Sequence, residues 1–184
     1  MIRKLHKAKP KLEVKPKVYD RYAKLEITND GGMAIFTAKA RVIKGIVQPE
    51  LYNMCWESSP DSPNCSINHR DTETIVVAEI SRNSEKTDDM MTAIYRGGIA
   101  LYKMSKERIG VTTLETIDEY KRKEQYPTMY TTTIMPQDKC ILEVIITSDP
   151  SPLEDYGVKN YLVEIDHERG NKLAFTQLPE SDAD

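Results

Sequence analysis

Residues 23–42 read AKLEITNDGGMAIFTAKARV, and their spacing decides the fold class. Ala23, Leu25 and Ile27 fall on one side of an extended chain, with Lys24, Glu26 and Thr28 on the other. Beyond Asn29-Asp30-Gly31-Gly32, the residues Ala34, Phe36, Ala38, Ala40 and Val42 share a face opposed by Thr37, Lys39 and Arg41. Successive side chains of a strand point to opposite faces, so this two-residue period puts one face in a core and the other in water. That alternation marks antiparallel sheet, and it predicts stacked sheets that hide Leu25, Ile27, Phe36 and Val42.

The same criteria extend outward from this pair. Residues 11–18 alternate through Leu12 and Val14, and Pro16 confines such a strand to a sheet edge. After Val42 the run Ile43-Lys44-Gly45-Ile46-Val47 stops at Pro49, and residues 48–72 hold Pro49, Pro60 and Pro63 among serines, Asp61 and Asn64, a turn-favouring composition. Inside that stretch, residues 51–56 (LYNMCW) are apolar enough to be expected as one short strand, with Trp56 packed against the sandwich. Further strands are expected at 73–81, 99–104, 128–134, 139–147, 158–165 and 172–178. The last two flank Asp166-His167-Glu168-Arg169-Gly170-Asn171, a hairpin in which Gly170 or Asn171 takes positive φ. Residues 105–124 admit two readings: Thr112 and Glu115 fit a capping box ahead of Leu114, Ile117 and Tyr120, which tilts the segment to a short helix, while its β-branched residues would continue a strand.

Nine or ten short strands at this spacing predict an all-β chain: a single antiparallel β-sandwich of about nine strands with long loops and at most one short helix. The expected division is a basic arm over 1–10, one sandwich over 11–179 and an acidic tail over 180–184. A chain of 184 residues is long enough for one domain with a substantial core. No run approaches the roughly 18 apolar residues of a membrane-spanning helix, and no apolar stretch follows the basic start, so neither a span nor a secretory leader is expected. The expected location is cytoplasmic, with the face of a membrane left open.

Net charge is −3, unevenly spread. Residues 1–18 carry seven cations against Glu13, a sum of +6, which leaves −9 on the remainder. The arm is a candidate for weak attraction to an anionic membrane surface. The acidic body argues against nucleic acid, which needs an extended positive footprint.

Three cysteines leave an odd one over: Cys55 and Cys65 bracket a polar loop and could be bridged in an oxidising compartment, while Cys140 opens an apolar strand as a small buried hydrophobe. Cys65-x-x-x-His69, with Cys55 upstream and Asp71 or Cys140 as a distant fourth group, is the nearest approach to a metal set, yet its spacing fits no paired-ligand pattern. No metal and no cofactor is expected. The chain has no G-x-S-x-G, phosphate-binding loop, G-x-G-x-x-G or H-E-x-x-H, and Asp166, His167 and Glu168 read as a solvated hairpin tip. No catalytic residues, and no enzyme, are expected.

The string LEITNDGGMAIFTAKARV, over about twenty residues, resembles immunoglobulin-like β-sandwich modules of prokaryotic surface and envelope proteins. The resemblance implies a non-catalytic spacer or binding platform. The chain departs from antibody domains in length and in placing Cys55 beside Trp56 rather than apart from it.

The function expected is a non-catalytic module that binds a protein or polymer partner through long loops. Leu51, Tyr52, Met54 and Trp56, and Met90, Met91, Ile94 and Tyr95, are more apolar than solvated loops require. Either these surfaces meet a partner, or they fold back and finish the core, with the single tryptophan packed and its N–H satisfied. The alternatives are a peripheral membrane domain held by the basic arm, and an enzyme or metal protein using the Cys65/His69 loop.

Overall fold

In the computed structural model the described residues are 9–45, 48–81, 98–109, 139–150, 156–166, 168–170 and 172–180. The strands in chain order are β1 (Leu12–Tyr19), β2 (Tyr22–Asn29), β3 (Ala34–Lys44), β4 (Gln48–Asn53), β5 (Cys55–Trp56), β6 (Asn64–Ile67) and β7 (Thr72–Ser81). They continue with β8 (Gly98–Lys103), a 3-10 turn at Met104–Lys106, β9 (Glu107–Ile109), β10 (Lys139–Asp149), β11 (Val158–Asp166) and β12 (Lys172–Gln177). All pair antiparallel, in two six-stranded sheets. The first runs β1-β2-β7-β8-β9, with β5 also on β7; the second runs β12-β11-β10-β3-β4, with β6 also on β3. The chain is an all-β sandwich. It has more strands than the nine or so expected because β5, β6 and β9 are separate pieces of two to four residues.

Alternation becomes burial as anticipated. Leu25, Ile27, Phe36 and Val42 all lie in the core with Ile75, Val77, Leu142, Val144 and Val163. Tyr161 and Phe175 pack with ring centres 5.3 Å apart, in the tilted arrangement aromatic pairs favour. The strand β1 is an edge of its sheet and carries Pro16 opposite Leu25. In the last hairpin Gly170 takes a φ of 78°, and the Asp166 carboxylate accepts the N–H groups of Glu168 and Arg169, both at 3.1 Å. The basic arm at 1–8, the capping-box segment from 110 onward, the expected strand at 128–134 and the tail from 181 lie outside the described residues.

The strands flanking Asn29–Gly32 belong to different sheets, so this turn is a corner between layers, and the hairpin partner of β2 is β1, across Asp20-Arg21. A chain crossing between layers must satisfy backbone groups that no ladder reaches. Asn29, 0% exposed, does this with one amide. Its Oδ1 accepts the N–H of Gly31 at 3.0 Å and of Lys11 at 3.4 Å; its Nδ2 donates to the carbonyls of Gly32 and Ile67, both at 2.9 Å. Its main-chain carbonyl takes the Arg70 N–H at 2.6 Å, and its N–H donates to Asp71 at 3.1 Å. Asp30 and Gly32 then donate to the carbonyls of Lys11 and Lys9 at 2.7 and 3.1 Å. Close approach leaves no room at Gly31, where a Cβ would stand 2.1 Å from the Lys9 oxygen and 2.4 Å from the Lys11 nitrogen.

Asn29→Ala strands buried donors and acceptors on three segments, and each costs about 1–3 kcal/mol when left unmade. The expected loss in urea unfolding is about 3 kcal/mol. Asn29→Asp should also destabilise, because a carboxylate cannot donate to the Gly32 and Ile67 carbonyls. Wild-type stability in both variants would remove the corner's role.

Candidate functional site

On the outward side of the first sheet lies a cavity of about 360 Å³ lined by Tyr22, Lys24, Cys55, Glu57, Val76, Tyr102 and Lys106. The strand period that buries Ala23 and Leu25 turns Tyr22 and Lys24 of β2 to this side. Along β7 the next neighbour changes: Ile75 and Val76 pair with Trp56 and Cys55 of β5, whereas residues from Ala78 onward pair with β8. The cavity lies at that interruption. Its rim is the Met104–Lys106 turn, in which Ser105 and Lys106 adopt φ of 70° and 56°. Left-handed backbone at residues other than glycine costs on the order of 1–3 kcal/mol and persists only where the surroundings hold it. Here the Ser105 N–H donates to the Pro60 carbonyl at 2.6 Å, tying the turn to the proline-containing loop, itself anchored by the Glu57 N–H on the Thr74 carbonyl at 2.8 Å.

Two of the cations around the cavity, Lys24 and Arg21, are paired with carboxylates. Lys24 Nζ sits 2.8 Å from Glu57 Oε1 and 5.6 Å from the Tyr19 ring centre. Arg21 donates to the Tyr22 hydroxyl oxygen at 2.8 Å, lies 5.1 Å from the ring centre and faces the buried Glu79 at 3.8 Å. Tyr22 and Tyr102 are 6.4 Å apart, tilted by 49°. Burial pushes the Cys55 thiol up, against the lowering effect of a hydrogen bond with the Lys106 backbone and of the Lys106 charge. The cavity therefore offers two ammonium groups, two phenols, a buried thiol and the Glu57 carboxylate already paired with Lys24.

The residues singled out from sequence scatter. Leu51 is 48% exposed, Tyr52 is half-buried, and Met54 and Trp56 are fully buried. Met54 and Trp56 thus complete the core rather than offer a contact surface, and Trp56 Nε1 donates to the Pro63 carbonyl at 3.3 Å. Burial raises the Tyr52 phenol well above its ordinary range, with the nearby Cys140 thiol adding to the effect. Met90, Met91, Ile94 and Tyr95 lie outside the described residues. Cys55, Cys65 and Cys140 are free thiols. Cys55 belongs to the first sheet and Cys65 to the second, where its Sγ is 3.8 Å from Ser58 Oγ. Desolvation raises the Cys65 thiol and pushes Cys140 up to about 12. His69 Nδ1 pairs with the Gly31 carbonyl at 2.9 Å, and the Asp71 carboxylate takes the Asn68 amide at 3.0 Å. Both brace the corner. Among the described residues no three His, Cys, Asp or Glu side chains gather as metal ligands, so the Cys55/Cys65/His69 set is not assembled.

Sequence reasoning missed Tyr22, Lys24, Glu57, Val76, Tyr102 and Lys106. Their one local signal is a tyrosine beside a lysine on the polar side of a strand (Tyr22 with Lys24) or next to it in sequence (Tyr102-Lys103). Compared with known proteins, the chain matches no family model, no curated protein and no solved structure.

Trp56→Ala is expected to cost about 3–5 kcal/mol in denaturant unfolding, the usual range for emptying a buried aromatic site. Leu51→Ala should stay within about 0.5 kcal/mol. Equal, small effects would return Trp56 to the surface.

Proposed function

We propose that the chain is an immunoglobulin-like, non-catalytic module that binds a protein partner through the outward face of its first sheet, centred on the Tyr22/Tyr102 cavity. The strand order supports the immunoglobulin-like part of this reading. A sheet built from β1, β2, β7 and β5 facing one built from β4, β3, β10 and β11 follows the order A-B-E-D against C′-C-F-G. On that assignment the β8–β9 hairpin is an insertion between E and F, and β12 is an added C-terminal strand.

The single observation that carries the binding part is the cavity itself. Two tyrosines, paired charges and a turn held in left-handed backbone converge where β7 changes neighbour and its ladder with β2 shifts register at Ala23/Lys24. Tyrosine supplies large contact area at low conformational cost and is enriched where proteins meet. Strain kept at a surface turn marks a position that the fold holds for a purpose beyond pairing. Leu51, exposed on β4 of the other sheet, is remote from this surface in the sheet order.

Affinity purification from the native cells, using wild type, Tyr102→Ala and Lys172→Glu as baits, tests the reading. The same partner should be retained by wild type and by Lys172→Glu, whose change lies on the exposed end of β12, and lost by Tyr102→Ala with its thermal transition intact. Retention by all three would refute the assigned surface.

A further inference from the structure

Resting on the binding role just proposed, we infer that the cavity accepts the carboxylate side chain of an acidic peptide segment, with Lys106 as its counter-charge. The charges around the cavity are not equivalent. Glu57 neutralises Lys24 at 2.8 Å, and Glu79 faces Arg21 at 3.8 Å. Among the described residues Lys106 has no carboxylate partner, although it stands at the cavity rim. Among the described residues, then, Lys24 and Arg21 have ion-pair partners and Lys106 has none, and a single carboxylate matches it.

The hydrogen-bonding groups fit the same ligand. The Tyr22 oxygen accepts from Arg21, so its own O–H remains available to donate. A carboxylate between Lys106 and Tyr22 would receive a charge-assisted bond from each side, roughly twice the strength of neutral bonds. Val76 and the tyrosine rings offer apolar walls for the methylenes of a glutamate stem. A volume of about 360 Å³ lies at the small end of ligand pockets, suited to one inserted side chain rather than to a polymer lying along a groove.

Charge elsewhere selects among anions. Residues 19–184 sum to −9, so the chain beyond its basic start is net acidic. A polyanion such as nucleic acid or an anionic membrane is repelled by that net charge, whereas a peptide needs to place only one glutamate in the cavity. The constrained backbone at Ser105 and Lys106, fixed by the Pro60 carbonyl, positions the lysine in advance of binding.

Titrating the isotopically labelled full chain with capped Gly-Glu-Gly-Glu-Gly, its Gln analogue and free glutarate, followed by amide chemical shifts and calorimetry, tests this. The Glu peptide should shift amides at Tyr22, Val76, Tyr102 and Lys106 and bind about tenfold tighter than the Gln peptide, the value of one charge-assisted bond. Binding should weaken as salt is raised. Lys106→Gln should abolish most of the Glu-over-Gln preference without shifting the thermal transition, and Lys106→Arg should restore it. Equal binding of the Glu and Gln peptides, an undiminished preference in Lys106→Gln, or glutarate binding as tightly as the peptide would overturn the inference. If the cell partner still depends on Tyr102 while no carboxylate preference is found, the ligand assignment fails and the binding surface stands. If the Tyr102 dependence is missing, the surface fails as well.

Discussion

The buried amide of Asn29 is the constraint on which the arrangement of the two sheets depends. Five residues after β2 ends, the chain has entered the opposite layer, and no ladder can satisfy the backbone that makes the step. Asn29 supplies an acceptor to Gly31 and Lys11 and donors to Gly32 and Ile67. The segment before β1, the corner and the β6–β7 connection therefore meet at one side chain. Buried polar groups are stabilising only when fully paired, and a network of this kind specifies one arrangement because every alternative leaves groups unmade. Gly31 enforces the same geometry sterically, since any side chain there would collide with the Lys9 and Lys11 backbone.

This corner and the candidate binding cavity occupy opposite ends of β2, Asn29 at one and Tyr22 at the other. At the Asn29 end, long strands pair in regular register. At the Tyr22 end the sheet is completed by the short pieces β5, β8 and β9, and their mismatch along β7 opens the cavity. The interior remains continuous beneath both, with Trp56 and Ile75 below the interrupted side and Ile27 and Ile67 below the corner.

How much of this the sequence disclosed follows from which forces are local. Leu25, Ile27, Phe36 and Val42 were legible because two-residue alternation is imposed by the strand itself. Gly170 and the Trp56 N–H were legible because turn geometry and the cost of an unpaired buried donor apply anywhere. The destination of a strand is not local: the same NDGG could close a hairpin or turn a corner, and the difference lies in Lys9, Ile67 and Asp71, far along the chain. Apolar content at Met54 and Trp56 read equally well as contact surface or as core, since hydrophobicity records the wish for burial without naming what provides it. The cavity was illegible for the same reason. Tyr22, Glu57, Tyr102 and Lys106 converge only after β2, β5, β7 and β8 have assembled. Cys55, Cys65 and His69, close in sequence, were separated by that assembly into a cavity wall, a buried strand face and a corner brace.

Native-state hydrogen exchange of the backbone amides at Gly31, Gly32 and Arg70 tests the central claim most directly. These amides lie outside any strand, yet they donate to Asn29 Oδ1, to the Lys9 carbonyl and to the Asn29 carbonyl. If the corner holds the layers together, they should exchange as slowly as the central amides of β2 and β3, opening only with global unfolding. Exchange at the rate of the exposed loop around Asp61 would contradict the account, because the sheets would then be held in place without it.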